Sequence, residues 1–293
     1  MVGGGGAYLF LLGAVGLLGY LFGYYLPRLV IHPPRRRETL TPADLGFEYR
    51  DLRLRTSDGL ALSAYYAPAP GPAHRNLILL HGNGSCKELY LEYLPQLLPG
   101  GTNLLLLDQR AHGRSQGEYH TFGYREWRDV AAALGFLAGE NALPTGVFGH
   151  SMGGAVALSA LSRLPLTFGV VESCFADFHE ITHLFAQRRF GLPLPRAFTD
   201  LVLRAAGWLA DFTPREVRPE RTAAGVTVPV LVIHGTADEQ IDVVNGRRLY
   251  RALGSTDRAF YPVAGAGHDD VCGAGGADYW RRLRRFLTQQ PPS

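Results

Sequence analysis

A serine in a Gly-x-Ser-x-Gly pattern is the first candidate for chemistry in this sequence. The pattern is Gly149-His150-Ser151-Met152-Gly153, between a predicted strand near Val147 and a predicted helix at Ser151–Arg163. A serine on a sharp strand-to-helix turn can act as a nucleophile, and the flanking glycines avoid clashes with the strand and the helix. The sequence therefore predicts Ser151 as a catalytic nucleophile.

A serine nucleophile needs a base and an orienting acid, and both follow the serine in chain order in this type of sheet. Asp238 lies in the loop just after the apolar run Val230–Ile233, and His268 lies in a loop after the next predicted strand. Ligand sites belong in loops at the carboxyl ends of parallel strands. We therefore expect His268 to act as the base and Asp238 to orient it, with Glu239 as the nearest substitute for Asp238.

Attack on a carbonyl carbon makes an oxyanion, which backbone N–H groups must stabilise. Met152, directly after the serine, supplies one N–H group. The loop after the run Asn76–Leu80 supplies the other, which we assign to Asn83, because the glycines on both sides let this backbone approach a substrate. We interpret His81 as a residue that fixes its loop and His112 as a loop-packing residue, not as further bases.

A second motif, His179-Glu180-Ile181-Thr182-His183, matches the zinc pattern H-E-x-x-H. On a helix the two histidines would share a face, and the glutamate would be the general base of a zinc hydrolase. No histidine follows His183 before His234, and Asp200 and Glu216 are conceivable ligands without a supporting pattern. We expect a helix with exposed polar residues here, and no bound metal.

Strand and helix patterns alternate along the chain and position these residues. Short continuous apolar runs predict strands that are buried on both faces. The predicted strands are Phe47–Arg55, Leu60–Tyr66, Asn76–Leu80, Asn103–Leu107, a strand near Val147, Phe168–Val171, Val230–Ile233 and Arg258–Tyr261. The predicted helices are Lys87–Leu98, Phe122–Ala138, Ser151–Arg163, Val243–Leu253 and Trp280–Leu287. This alternation indicates an α/β fold with a mostly parallel sheet and helices on both faces.

The interval from Val171 to Pro229 is too long for a simple crossover. It has room for one helix that packs on the sheet and for a small helical insertion, at about residues 175–226. The insertion carries apolar side chains such as Phe185, Leu201 and Trp208. We predict that it forms a lid.

Five motifs, in this order, resemble the α/β-hydrolase superfamily over about residues 45–290. The motifs are HGNG at 81–84, DQRAHGRSQG at 108–117, GHSMG at 149–153, HGTAD at 234–238 and GAGH at 265–268. The chain most resembles serine hydrolases of the serine-aminopeptidase type and dienelactone-hydrolase-like members with an N-terminal membrane anchor. Ala111 stands where family members commonly have glycine, a mild departure in a structural loop.

The resemblance implies the α/β-hydrolase fold and a serine hydrolase that forms an acyl-enzyme and needs no cofactor. The expected substrate is a carboxylic ester or thioester with a hydrophobic, lipid-like acyl group, and an amidase or peptidase on the same triad is the alternative. Epoxide hydrolases and dehalogenases are disfavoured because they carry an aspartate where Ser151 stands. A non-catalytic binding protein on this fold is a second class, which the filled triad positions Ser151, Asp238 and His268 disfavour.

The N-terminal segment carries no charged side chain up to Pro27. Ala7–Leu26 contains only apolar or aromatic residues, glycine included, and a helix of this length matches the hydrocarbon thickness of a bilayer. A cleaved signal peptide would have a basic start and a small-residue cleavage site, which are missing; a buried helix of the domain is the other alternative. We expect a transmembrane anchor at 1–27, a basic linker at 28–44 and a hydrolase domain at 45–293.

The formal net charge of +3 comes from the segment beside this helix. The charged side chains before position 38 are four arginines, Arg28, Arg35, Arg36 and Arg37. The rest of the chain has 25 basic and 26 acidic residues. A near-neutral body disfavours a nucleic-acid partner. The positive-inside tendency predicts a single-pass protein with its domain in the cytoplasm, and three cysteines in 293 residues exclude a disulfide scaffold. We interpret the presence of a single lysine, Lys87, as compositional.

Overall fold

A computed structural model describes residues 4–289, so residues 1–3 of the predicted anchor and 290–293 of the predicted domain lie outside it. Within this range eight strands form a single sheet. The strands are β1 (Arg50–Arg55), β2 (Ala61–Ala67), β3 (Arg75–Leu80), β4 (Thr102–Leu107), β5 (Thr145–His150), β6 (Phe168–Glu172), β7 (Val230–Gly235) and β8 (Arg258–Val263). Each predicted strand is present, and its ends differ from the prediction by at most three residues.

The sheet has the order β1-β2-β4-β3-β5-β6-β7-β8 and is mostly parallel, as predicted. The antiparallel pairs are β1–β2 and β2–β4, so β2 alone among these eight strands runs opposite to the others. The strands β3 to β7 are buried along their whole length. Leu80 at the end of β3 pairs with Gly149 near the end of β5. The loops after these strands therefore begin side by side, which brings the candidate oxyanion loop next to the candidate nucleophile.

Helices cover both faces of this sheet. The helices are α1 (Gly4–Tyr20), α2 (Leu26–Ile31), α3 (Leu94–Leu97), α4 (Trp127–Glu140), α5 (Met152–Leu161), α6 (Phe178–Phe190), α7 (Arg196–Ala210), α8 (Pro219–Ala223), α9 (Val244–Ala252) and α10 (Val271–Thr288). Alternate residues of β3 enter different hydrophobic cores: Ile78 lies in one with Val130 of α4, and Leu77 lies in the other with Leu283 of α10. The fold is therefore the expected layered α/β arrangement.

Three predicted helices differ from the structure. The closing helix predicted at Trp280–Leu287 is α10, which begins nine residues earlier, at Val271. Lys87–Leu98 is mostly 3-10 helix, with a short α-helical turn at α3, because Pro95 and Pro99 lack the N–H group that a longer α-helix needs. The helix predicted from Phe122 begins at Trp127. Phe122 and Gly123 have positive φ angles of 53° and 102°, which a right-handed helix cannot contain.

The long interval after β6 contains three helices. α6 and α7 form the predicted insertion and pack against each other, and we call this pair the lid. A residue in the left-handed conformation, Gly191, ends α6, and another, Asp211, ends α7. The shorter α8 lies within the bounds of 175–226 predicted for the insertion and packs against α5 and α9.

The N-terminal apolar helix, Phe10–Ile31, is long and apolar enough to cross a membrane. It comprises the end of α1, a π-helical turn at Leu21–Tyr25 and α2. Almost all of it is exposed up to Tyr25, but Pro27 and Ile31 are buried. The residues after it, expected to form a linker, lie against the domain: Arg35 donates hydrogen bonds to the carbonyl oxygens of Ser115 and Gly117.

Candidate active site

Ser151 occupies the tight turn between β5 and α5. Its φ and ψ angles are 54° and −117°, a conformation that L-residues rarely adopt and that stores backbone strain. The turn is held by a hydrogen bond of 2.8 Å from the Ser151 N–H group to the carbonyl oxygen of Glu172, at the end of the neighbouring strand β6. The serine is therefore presented above the carboxyl edge of the sheet.

The glycines around Ser151 are required by close backbone contacts. A Cβ atom at Gly149 would lie 2.0 Å from the carbonyl oxygen of Gly153, and one at Gly153 would lie 2.1 Å from the carbonyl oxygen of Leu80. A Cβ atom at Gly154 would lie 2.7 Å from the Cβ atom of Cys174. The glycines thus let α5 start directly against β3 and β5, which explains in steric terms why the sequence pattern has glycine at these positions.

The structure brings the three residues predicted as nucleophile, base and acid into one chain of hydrogen bonds. His268 Nε2 lies 3.0 Å from Ser151 Oγ, and His268 Nδ1 lies 2.7 Å from Asp238 Oδ2. Asp238 follows β7 and His268 follows β8, so both side chains come from loops at the carboxyl edge of the sheet. Each distance is within the normal range for a hydrogen bond.

Asp238 is held as a carboxylate. Burial alone would raise its pKa, but hydrogen bonds from His234 and His268 outweigh this effect and keep the pKa well below its usual range. Its other oxygen, Oδ1, accepts the backbone N–H groups of Gln240 and Ile241 at 2.9 and 2.8 Å. A charged, immobilised carboxylate is suited to orient an imidazole. Glu239, the nearest substitute, is exposed to solvent.

The two residues predicted to supply N–H groups lie on either side of the serine. Met152 is the first residue of α5, where no preceding helical turn accepts its N–H group. Asn83 lies in the loop after β3 and lines the same cavities as Ser151. A Cβ atom at Gly82 would be only 3.3 Å from Ser151 Cβ, so this loop runs close against the nucleophile.

His81 and His112 lie within hydrogen-bond networks of the loops. His81 is buried, which lowers its pKa, and its ring accepts the N–H group of Gln109. His112 is also buried, and its Nδ1 lies 2.9 Å from the carbonyl oxygen of Arg110. The rings of the two histidines meet edge to face at 5.0 Å. These contacts agree with loop-fixing and loop-packing roles.

An ion pair that sequence reasoning missed lies beside the catalytic candidates. His150 is buried between Glu172, at 3.1 Å, and Asp269, at 3.5 Å. Burial alone would lower its pKa, but hydrogen bonds to Asp269 and Glu172 raise the pKa to about 9. The His150 and His268 rings are 5.1 Å apart. His150 is therefore positively charged at neutral pH and fixes the turn on which Ser151 sits.

A buried cation was also missed. Lys87 is fully buried, although the composition gave no sign of a role. Its Nζ lies 2.9 Å from Asp108 Oδ2 and 3.2 Å from both Glu88 Oε1 and Ser63 Oγ. Asp108 also accepts the backbone N–H groups of Lys87 and Arg114. This pair ties the end of the candidate oxyanion loop to the loop after β4. Its only sequence signal is a lysine close to the HGNG motif.

The H-E-x-x-H segment lies at the start of α6, in the lid. His179 Nε2 lies 2.5 Å from Asp200 Oδ1, and His183 Nδ1 lies 2.8 Å from Thr199 Oγ1, both on α7. The glutamate between them accepts a hydrogen bond from Arg248. The two histidine contacts join the lid helices, and the glutamate contact joins α6 to α9, so the motif has a structural role.

In the described residues, one group of three side chains brings ligand atoms suitable for a metal within 4.8 Å of one another: His150, His268 and Asp269. His268 directs one ring nitrogen to Asp238 and the other to Ser151. We therefore interpret the group as an ion pair beside a hydrogen-bonded histidine.

Comparison with known proteins places this arrangement in a family. Residues 77–278 match the sequence model of the alpha/beta hydrolase family, and this range includes Ser151, Asp238 and His268. The chain belongs to the α/β-hydrolase family. Resemblance to the serine-aminopeptidase type has no support beyond the sequence motifs.

Several known proteins are similar to most of this chain. The uncharacterized protein Rv2307c of Mycobacterium tuberculosis is 30% identical over 247 residues, which are 82% of this chain and 79% of the relative. The α/β hydrolase domain-containing protein WAV2 of Arabidopsis thaliana is 27% identical over 267 residues, 86% of this chain and 83% of the relative. Among solved structures, the esterase PF2001 of Pyrococcus furiosus has a TM-score of 0.73 with 26% identity, covering 89% of this chain and 98% of the esterase. The family and its esterase neighbour support hydrolase activity.

Proposed function

We propose that this chain is a membrane-anchored serine hydrolase that cleaves carboxylic esters or thioesters of hydrophobic acyl groups. The observation that carries the proposal is the continuous hydrogen-bond chain from Ser151 Oγ through His268 to Asp238, with links of 3.0 and 2.7 Å, at a strained turn. The similarity to an esterase of known structure supports the same chemistry.

The reaction has two halves. His268 Nε2 accepts the proton of Ser151 while Oγ attacks the substrate carbonyl carbon, and the backbone N–H groups of Asn83 and Met152 stabilise the oxyanion. The intermediate collapses, and the protonated His268 gives its proton to the departing alcohol or thiol. Water then attacks the acyl-enzyme with His268 as base, which releases the acid and restores Ser151. Asp238 keeps the imidazole oriented and stabilises its positive charge.

The N-terminal apolar helix is proposed as the membrane anchor. Ile31 and Pro27 are buried in the described structure, so the end of this helix contributes to the domain and is unsuited to removal as a leader. The arginines that follow favour a cytoplasmic domain. Protease protection on sealed vesicles tests the orientation: digestion of the domain from the non-cytoplasmic side would contradict it.

The activity is tested with p-nitrophenyl esters of increasing acyl length, run beside thioester and amide analogues. The full-length protein in phosphatidylcholine vesicles should hydrolyse the esters or thioesters, and Ser151→Ala should abolish turnover without changing the circular dichroism spectrum. Amide turnover that exceeds ester turnover would favour the amidase alternative. Activity that persists in Ser151→Ala and is lost to a chelator would overturn the proposal in favour of metal chemistry.

A further inference from the structure

The nucleophile borders an apolar cavity of about 460 Å³, within the range of small-molecule sites, roughly 300–1,000 Å³. The lid supplies one wall, with aromatic and aliphatic side chains such as Phe185 and Val202. The N-terminal apolar helix supplies another: Leu26, Leu29 and Val30 line the same cavity as Ser151. A segment whose composition predicts only membrane anchoring thus reaches the site of the proposed chemistry.

The position of this helix end is fixed by contacts with the domain. The Phe22 ring packs edge to face on Phe198 of α7, with centroids 5.3 Å apart. The Ile31 side chain is fully buried, and its carbonyl oxygen accepts the N–H group of His120 at 3.0 Å. Arg28 pairs with Glu118 at 2.6 Å. The helix end is therefore a built wall of the cavity.

The rim of the cavity is apolar and exposed. Leu29 is 61% exposed, Tyr25 47%, Phe190 45% and Phe185 41%, although all four line the cavity. Such a rim is unfavourable in water. It lies at the base of a helix that can cross a membrane, so lipid would cover it. The tyrosines at this end of the helix suit the interfacial region of a bilayer.

The lid presents a second surface of the same character. Along α7, Leu201 and Trp208 lie seven residues apart on one face and are 46% and 81% exposed, with Arg204 exposed between them. α7 packs directly on α2 and on the turn before it. A tryptophan and an arginine beside a membrane helix are typical of residues at the lipid–water interface.

A polar cavity lies on the other side of the nucleophile. Its volume is about 440 Å³, and its lining includes His150, Glu172, Gln240 and Asp269. Asn83, Ser151 and Phe185 line both cavities. An ester with its carbonyl at Ser151 would place an apolar part toward the anchor helix and a polar part toward these polar and charged groups.

We infer that the substrate is a membrane amphiphile, a long-chain acyl ester of a polar alcohol, and that the N-terminal helix sets its acyl-chain preference. The acyl chain leaves the bilayer at the apolar rim and lies between the anchor helix and the lid, while the polar alcohol occupies the second cavity. This inference rests on the proposed serine hydrolase activity. Val30 and Leu26, on the cavity wall, are the specificity-determining positions.

The test is Val30→Phe in the full-length protein in phosphatidylcholine vesicles, with Val15→Phe as the matched control. Val15 lies on the same helix, is 59% exposed and is absent from the lining of the cavity. Burying one methylene changes binding by about fourfold, so a phenyl ring that displaces a few methylenes should lower kcat/KM for p-nitrophenyl laurate by about 10- to 60-fold. The butyrate ester should change by less than about threefold, and Val15→Phe should change neither rate.

Two further measurements keep the outcomes distinct. Val30→Ala enlarges the cavity and should shift the preferred chain to longer acyl groups, so the inference does not depend on one variant folding. Labelling by a short-chain fluorophosphonate reports an intact nucleophile in each variant. An unchanged laurate-to-butyrate ratio in both Val30 variants, with normal labelling, would overturn this inference and leave the hydrolase intact. Failure of the unmodified protein to label or to hydrolyse any ester would instead overturn the proposed function.

Discussion

The buried ion pair of Lys87 gives a prediction whose magnitude follows from the structure. Lys87→Met replaces a fully buried ammonium by an apolar side chain of similar length, so it keeps the packing and removes the charge. Asp108, also fully buried, then loses the one charged partner that it has among the described residues, at 2.9 Å. Glu88 keeps a partner, because Arg114 lies 3.0 Å away. The cost is therefore mainly the unpaired charge of Asp108.

Removing one partner of a buried ion pair costs about 3–5 kcal/mol. We expect the lower half of this range, since Asp108 still accepts two backbone N–H groups, from Lys87 and Arg114. For a domain of this size 1 kcal/mol corresponds to roughly 2 °C in Tm. Lys87→Met should therefore lower Tm by about 6–8 °C.

Thermal unfolding followed by circular dichroism, in matched detergent micelles, measures this shift. Arg281→Met is the control, because Arg281 pairs with Asp278 but its side chain is 72% exposed, and an exposed pair contributes about 0–1 kcal/mol. The double variant Lys87→Met/Asp108→Asn removes the unpaired charge and should recover part of the loss, because the amide oxygen replaces only one of the two carboxylate acceptors. A Lys87→Met shift no larger than that of Arg281→Met would refute the reasoning.

Three further predictions concern the site. Asp238→Asn should lower kcat by about 10³–10⁴-fold, whereas Glu239→Gln, its exposed neighbour, should keep kcat within about threefold; equal losses in steady-state ester hydrolysis would contradict the assignment of the acid. Because the folded-state pKa of His150 is raised from 6.5 to about 9, its charge stabilises the fold below about pH 6.5, and this contribution is lost as pH rises through about 9. The Tm of the unmodified protein, measured against pH, should fall toward that of His150→Gln over this interval, and parallel Tm curves would show that His150 is neutral in the fold. Gly153→Ala should yield no soluble protein on expression because its Cβ would lie 2.1 Å from a carbonyl oxygen of β3, while Gly139→Ala, which meets nothing within 4 Å, should express normally; a well-folded Gly153→Ala would refute the steric argument.

Sequence patterns predicted the sheet and the place of the site because both depend on local signals. Fully buried strands read as continuous apolar runs, such as Asn103–Leu107. The glycines around Ser151 mark a turn that only small residues permit. Asp238 and His268 were predicted because each stands in a loop after a predicted strand, where loops of a parallel sheet converge.

The remaining features depend on contacts between distant parts of the chain. Glu172 meets His150 only because β5 and β6 pair with Glu172 opposite His150, which no local pattern reveals. The role of Lys87 depends on its ion pair with Asp108, which lies in the loop after β4 and is distant in sequence. The apolar N-terminal segment predicts a membrane span, but its packing on α7 depends on the fold of an insertion far along the chain.

The central claim is that Ser151 is a nucleophile activated by His268. The most direct measurement is labelling by a fluorophosphonate probe, followed by mass spectrometry of the labelled peptide. We predict stoichiometric labelling at Ser151, none in Ser151→Ala, and normal labelling in Ser85→Ala, which alters a second serine lining the polar cavity. Failure of the unmodified protein to label, or labelling that persists in Ser151→Ala, would contradict the account.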